Sequence, residues 1–204
     1  KFFELFAVVI TGLLKFVLMD WLQMRAFYIC GACLFWLIYV FIKFKSDKNI
    51  LKNWGFTSEG FRHSFLFLLP FTVTSVIIFS IYGFYNKTTI LNWHILPVFL
   101  FYPVWGLIQQ FMMLALIAAN LKTMPDVRFK NTMIILLTSF IFSLVHYPYF
   151  SLMIYTFIMQ VIFTIVYLKW NNLWSLGLHH GWIATFLLFF VHNRDLWIEF
   201  FKWF

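Results

Sequence analysis

Charged residues are scarce in this chain, where Asp, Glu, Lys and Arg together make up 11% of 204 residues. Soluble domains carry about 25% charged and about 45–50% apolar residues, whereas apolar residues reach 63% here. A soluble fold of this length has too little interior to bury so much apolar surface. The composition therefore excludes a soluble enzyme, a disordered segment and a nucleic-acid-binding domain, and it predicts an integral membrane protein.

Strict alternation of polar and apolar residues, which is typical of a membrane barrel, is missing as well. The apolar runs instead last about twenty residues, the length at which a helix crosses a bilayer. The sequence therefore predicts an all-α fold, a polytopic transmembrane bundle of about seven to eight helices in a single domain over residues 1–204. The seven apolar segments are 3–22, 26–43, 63–84, 93–120, 132–149, 150–168 and 173–191.

Cysteine is almost absent, and the two that occur, Cys30 and Cys33, form a CxxC pair inside an apolar run. A redox or metal-binding pair needs a polar and accessible setting, so we interpret both as small buried packing residues. Carboxylates are also missing from the deep parts of the spans, and two imidazoles alone make a poor zinc site. We therefore expect no cofactor, and any divalent metal would have to use His146 and His180.

Acidic residues are outnumbered by basic ones, seven against fifteen, which gives a net charge of +8. In a membrane protein this excess indicates cytoplasmic loops and contact with anionic lipid. If successive spans alternate sides, ten basic residues lie on one side, namely Lys1, Lys169 and those of the loops 43–62 and 120–131, against four on the other side. The positive-inside rule then places the N-terminus in the cytoplasm. We expect a bacterial inner (plasma) membrane, with lipids and a further membrane protein as partners and no nucleic acid.

Aromatic residues alternate with charged ones at the end of the chain. We therefore interpret 195–204 as an interfacial aromatic tail. Seven spans would place this tail outside the cell, and a re-entrant bend at 146–149 would return it to the cytoplasm. No cleavable signal peptide is evident, and because the chain opens at Lys1 we expect that it has been trimmed. The aromatic residues of the tail are Trp197, Phe200, Phe201, Trp203 and Phe204.

Polar side chains inside the spans are few, and each is a functional candidate because polar groups are costly in a bilayer. For any single one, the simpler interpretation is a hydrogen bond between packed helices, worth about 0.6 kcal/mol. Several such groups on separate spans favour convergence on one cavity. The residues are Gln109, Gln110, His146, Gln160, His179 and His180.

Three short patterns on separate spans resemble the motifs of the CPBP family, also called Abi or CAAX-protease-like membrane proteins. The family's motifs are EExxxR, FxxxH, and HxxxN or HxxxD. The corresponding segments here are QQFMML at 109–114, FSLVH at 142–146 and HGWIA at 180–184. The resemblance extends over 90–192, the motif core, and implies a CAAX-protease-like bundle. It assigns the family's catalytic positions to Gln109, Gln110, His146 and His180.

The chain departs from these motifs at the positions that carry the chemistry. In active members the second glutamate of the first motif is understood to activate water. Gln110 stands there, and an amide cannot act as a general base near neutral pH. The motif's arginine is Leu114, so the acids and their partner charge are lost together. The third motif ends in Ala184, and the neighbouring Thr185 is the candidate substitute.

Three functions are compatible with this pattern. The favoured one is a non-proteolytic or atypical CPBP-like protein, a pseudoenzyme that serves as a membrane scaffold or binding subunit. The second is an active intramembrane endopeptidase in which His146 or His180 activates water. The third is a transporter or structural subunit that is only superficially similar to the family. Under the first two, we expect Gln110, His146 and His180 within about 3–6 Å of one another.

Overall fold

The computed structural model describes residues 1–124 and 129–202, and its regular structure in these ranges is entirely helical. The predicted all-α membrane bundle is therefore confirmed. Pro125 and Arg128 of the predicted basic loop, and Trp203 and Phe204 of the tail, lie outside the described residues. The nine helices are α1 Phe2–Trp21, α2 Arg25–Ser46, α3 Ile50–Trp54, α4 Phe61–Asn86, α5 Ile95–Lys122, α6 Asn131–Leu144, α7 Phe150–Trp170, α8 Leu173–Val191 and α9 Leu196–Phe201.

Six of these helices, α1, α2, α4, α5, α7 and α8, are long and apolar enough to cross a bilayer. Helix α6 has 14 residues, so it spans about 21 Å, less than the ~30 Å hydrocarbon core. It ends at Leu144, short of the predicted boundary at residue 149. Pro148 explains the early end, because it lacks an N–H and disfavours helical geometry at the residue before it. His146 consequently lies in the turn between α6 and α7.

Contacts between helix ends sort the loops of the bundle onto two faces. On the first, the basic face, Lys1 Nζ donates to the Thr123 carbonyl at 2.6 Å, which joins the start of α1 to the end of α5. On the same face Asn171 Nδ2 donates to the Lys52 carbonyl at 3.3 Å, which joins the end of α7 to α3. The basic loops that the sequence assigned to one side therefore lie together wherever they are described.

The opposite end of the bundle holds the end of α1 and the α6–α7 turn. We call it the mouth face, because the cavity described below lies at this end. There Lys15 Nζ donates to the Tyr147 carbonyl at 3.4 Å, and it also pairs with Asp20 at 2.6 Å. Arg25 at the start of α2 pairs with Glu199 of α9. Helix α8 runs from the basic face to the mouth face, so the C-terminal tail lies on the face opposite Lys1.

The start of α8 is held by Asn172, which is fully buried. Its Oδ1 accepts from the Ser175 amide at 3.0 Å and caps the helix. Its Nδ2 donates to the carbonyls of Thr57 and Glu59 at 2.6 and 3.0 Å. The Asn172 side chain thus caps the start of α8 and fixes that helix to the loop before α4.

Helices α5 and α8 cross with their backbones in contact, because glycines stand at the crossing. A Cβ on Gly177 would lie 2.8 Å from the Leu107 Cα, and one on Gly106 would lie 3.0 Å from the Gly177 carbonyl oxygen. A Cβ on Gly181 would collide with the backbone of Pro103. Gly177 and Gly181 form the small-xxx-small spacing that lets membrane helices approach closely. This crossing brings His180, which lies between the two glycines, against α5.

The two cysteines of α2 are not the buried pair that the sequence predicts. Cys30 is exposed and Cys33 is half-buried, and both thiols are free. The prediction is wrong because α2 lies at the edge of the bundle, and only 17% of its most apolar stretch is buried inside the molecule. Within 1–124 and 129–202, no group of three or more His, Cys, Asp and Glu side chains could hold a metal ion.

Candidate functional site

Gln110 lies at the centre of the candidate site and is fully buried. It is the last residue of the regular part of α5, and a wider π-helical stretch, Phe111–Ala118, follows directly. Its Nε2 donates to Gln160 Oε1 at 3.0 Å and approaches His180 Nδ1 at 2.8 Å. Both N–H groups of the amide are therefore engaged, and they join α5 to α7 and α8. Such π-helical stretches occur frequently at functional sites.

His180 is fixed in one tautomer by this arrangement. An amide nitrogen can only donate, so Nδ1 of the ring accepts from Gln110 and the proton of the neutral imidazole is assigned to Nε2. Nε2 has no hydrogen-bond partner among the described residues. His180 therefore offers one N–H donor that the protein leaves unused.

His146 has the opposite arrangement. Its Nδ1 lies 2.8 Å from the Phe142 carbonyl oxygen, so this nitrogen carries the proton and Nε2 retains a lone pair. In the described part of the chain nothing donates to that lone pair. The Phe142 ring lies beside both imidazoles, with centroid distances of 4.9 Å to His146 and 5.6 Å to His180. Gln110 and His180 are thus joined directly. His146 packs on the same Phe142 ring as His180, and it makes no hydrogen bond to Gln110 or to His180.

A cavity of about 1070 Å³ lies beside these groups. Its walls are mostly apolar and come from α1, α2, α5, α6, α7, α8 and α9. Gln109, His146 and His180 all line it, and Oε1 of Gln109 is a buried oxygen without a partner in the protein. Four charged side chains also line it, namely Lys15, Asp20, Arg25 and Arg194.

Helix α9 packs over one end of this cavity. Its side chains Trp197, Phe200 and Phe201 line the cavity. Arg194 clamps Glu199 with two hydrogen bonds of 2.9 and 2.8 Å. The predicted interfacial position of the tail in a membrane stays a prediction, and the structure adds that the tail packs on the bundle.

Asp195 holds the other end of α9 in place. It caps the helix and accepts from Asn92 Nδ2 at 2.8 Å, and its Oδ2 lies 2.6 Å from His94 Nδ1. Burial raises the pKa of Asp195, while the hydrogen bonds from His94 and Asn92 lower it, and the net shift is downward. His94 is thus part of the contact that fixes α9.

Two residues near the motifs serve the packing of α8. His179 Nδ1 lies 2.7 Å from Thr72 Oγ1, and its Nε2 lies 3.2 Å from the Phe65 carbonyl oxygen, so this ring fastens α8 to α4. Thr185 donates its hydroxyl to the Gly181 carbonyl one turn earlier, at 2.8 Å. The expectation that Thr185 replaces the lost polar group of the third motif is therefore wrong.

Sequence reasoning missed the partner of Gln110. Gln160 is visible in the sequence as a polar residue in a span, but it belongs to none of the motifs, and only the rotation of α7 about its axis reveals the contact. The small-xxx-small spacing of Gly177 and Gly181 is visible in the sequence, because the two glycines stand on either side of the two histidines.

The segment that contains these residues matches a known family. Residues 109–186 match the family model described as type II CAAX prenyl endopeptidase, Rce1-like. This segment is similar to that family. The match begins at Gln109 and includes His146 and His180, so it confirms the resemblance to CAAX-protease-like membrane proteins. Comparison with curated proteins and with solved structures gives no match. The match to this family and the six apolar helices together make the chain an integral membrane protein.

Proposed function

We propose that this protein is a non-proteolytic Rce1-like membrane protein that binds an apolar ligand in its cavity. One observation carries the proposal, namely the position of the Gln110 amide between Gln160 and His180. An amide that donates both protons to neighbours has no basic lone pair with which to activate water. In the described residues no carboxylate hydrogen-bonds to Gln110, His146 or His180.

The surroundings of Gln110 support the loss of a catalytic acid. Leu114 stands where the family motif has arginine, and it is fully buried. A glutamate at position 110 would then be buried without the arginine of the motif, and the imidazole of His180 would be its remaining partner, which costs stability. The amide avoids that cost.

The cavity supports a role in binding. Ligand pockets of about 300–1000 Å³ with apolar walls and a few polar groups are typical of small-molecule sites, and this cavity of about 1070 Å³ is at the top of that range. Its position within a bundle of apolar helices favours a ligand that partitions into lipid. We further propose a bacterial inner membrane, a cytoplasmic N-terminus, and lipids together with a second membrane protein as partners, for which this chain is the binding or scaffold subunit.

A second candidate function rests on His146. Its Nε2 keeps a lone pair and the ring lines the cavity, so it is a neutral imidazole suited to take a proton from water. The Nε2–H of His180 would donate to the oxyanion that forms. On this view the protein is an endopeptidase with an altered base.

The two candidates differ in one assay. The purified protein in lipid is incubated with a prenylated CAAX peptide, and the same experiment is made with His146→Ala. For the non-proteolytic protein, we expect equal background cleavage in both. If the wild type cleaves and His146→Ala does not, the second function is correct and the first is rejected.

A further inference from the structure

The two imidazoles of the cavity present complementary hydrogen-bonding groups. His180 offers an Nε2–H donor, and His146 offers an Nε2 lone pair. Both rings contact Phe142 and both line the cavity. Oε1 of Gln109 adds a further acceptor, which is buried and has no partner in the protein. Buried polar groups without partners are costly, so the site favours a ligand that satisfies them.

The charged residues of the cavity are already engaged in ion pairs. Lys15 pairs with Asp20 at 2.6 Å, and both Arg25 and Arg194 pair with Glu199. Each of these cations thus already has a carboxylate partner, although Arg25 and Arg194 share one. The choice between a neutral and an anionic head group therefore depends on the two imidazoles, whose Nε2 atoms are one donor and one acceptor.

We propose that the cavity binds a long-chain alcohol, with its hydroxyl at His146 and His180 and its chain along the apolar walls. This inference rests on the proposed function and names the class of its ligand. The hydroxyl donates to His146 Nε2 and accepts from the Nε2–H of His180, so one group satisfies both rings. An ionised carboxylate brings no proton and meets the lone pair of His146. A hydrocarbon leaves both rings unsatisfied.

The test is a displacement experiment on the full chain in lipid nanodiscs. A photoreactive analogue of hexadecanol labels the protein, and hexadecanol, hexadecanoate and hexadecane compete for the site. We expect hexadecanol to compete about tenfold better than the other two, which corresponds to one or two hydrogen bonds. If hexadecanoate competes best, the ion pairs at the cavity are open to anions and the proposal is overturned.

Variants show whether the hydroxyl is recognised by the imidazoles. His146→Phe removes the acceptor and keeps an aromatic ring on Phe142. We therefore expect hexadecanol to compete about fivefold more weakly, and competition by hexadecane to stay unchanged. His63→Phe, at an exposed position near the start of α4, is the matched control and is expected to behave as the wild type. His180→Phe, which removes the Nε2–H donor, provides a second variant if His146→Phe does not fold, with weaker hexadecanol competition expected.

The outcomes separate this inference from the proposed function. If none of the three compounds displaces the label and the label itself does not bind, the cavity is not a ligand site and the proposed function fails. If all three compete equally, the cavity binds apolar chains and only the inference about the hydroxyl fails.

Discussion

The chemistry of the candidate site depends at the residue scale on whether position 110 carries an amide or a carboxylate. The Gln110 amide is held by Gln160 and His180 at 3.0 and 2.8 Å, and its Oε1 is buried without a partner. A side chain of the same shape with a titratable oxygen would therefore sit in contact with an imidazole. Position 110 therefore decides whether this buried cluster contains a carboxyl group.

Gln110→Glu is expected to introduce hydrolysis of a prenylated CAAX peptide. The glutamate supplies the base that the amide lacks, and general-base catalysis contributes about a hundredfold or more. We therefore expect cleavage about a hundredfold above the wild-type background, measured by release of the peptide fragment. The matched control is Gln160→Glu, which places a carboxylate on the neighbouring side chain and is expected to stay inactive. A folded but inactive Gln110→Glu would mean that Leu114 and Ala184 also removed essential groups.

Individual residues were predictable to different degrees. The resemblance selected Gln109, Gln110, His146 and His180, because motif order and spacing are properties of the sequence. The Gln110–Gln160 contact was not predictable, since it depends on how α5 and α7 rotate about their axes, and apolar residues surround both helices. Thr185 was misjudged because a hydroxyl in a helix commonly bonds to its own backbone one turn earlier.

At the scale of elements, the site depends on the crossing of α5 and α8. Gly177→Ala is expected to force these helices apart, because the new Cβ would lie 2.8 Å from the Leu107 Cα. Overpacking of this kind costs about 1–3 kcal/mol, so we expect a lower melting temperature in detergent. The matched control is Gly31→Ala on α2, where a Cβ has no neighbour within 4 Å and stability is expected to hold or rise slightly. Equal destabilisation by both variants would show that close packing at this crossing is unimportant.

The position of α9 depends on Asp195. In the folded protein its pKa lies below the usual value, so the carboxylate stabilises the folded state above the pKa it has when unfolded. That contribution is lost as the pH falls through the lower, folded-state value, below about pH 4. Asp195→Ala is expected to speed hydrogen exchange at Trp197 and Ile198 at neutral pH, by about fivefold for a lost cap of ~1 kcal/mol. Glu59→Gln, which alters an exposed ion pair with Lys52, is the control and should leave α9 unchanged.

Helix type followed from the length of the apolar runs, and the predicted span 93–120 lies close to Ile95–Lys122. The number of spans did not, since seven were predicted and six helices in the described ranges are long enough to cross a bilayer. The short α6 did not, because an apolar stretch continues past Leu144 in the sequence and only the local backbone ends the helix there. The Asp195–His94 contact joins residues that are 101 positions apart, which no local pattern indicates.

At the scale of the whole molecule, the cavity lies in the half of the bundle opposite the basic loops. It is lined by the end of α1, the turn after α6 and the tail, all of which belong to the mouth face. Charge counts along the sequence predicted how the loops divide into two groups. They did not predict that α5 and α8 lie at the centre while α2 lies at the edge, because hydropathy alone does not distinguish lipid-facing from protein-facing surface.

Membrane orientation follows from combining this arrangement with the charge bias. If the basic face is cytoplasmic, the cavity lies toward the outer side of the membrane. Two single-cysteine variants test this in a background with Cys30→Ala and Cys33→Ala. Ser58→Cys lies on the basic face, and Asn86→Cys lies at the end of α4, next to a hydrogen bond between Thr88 and the Phe190 carbonyl. Both positions are exposed in the structure.

An impermeant maleimide applied to intact cells is expected to label Asn86→Cys and to label Ser58→Cys only after permeabilisation. Neither substitution changes the charge of the chain, so the variants do not alter the bias that sets orientation. Labelling of Ser58→Cys alone in intact cells would reverse the topology and place the mouth face on the cytoplasmic side. A cytoplasmic mouth face would still be compatible with the hydroxyl at His146 and His180, because that inference depends on the imidazoles and not on the side of the membrane.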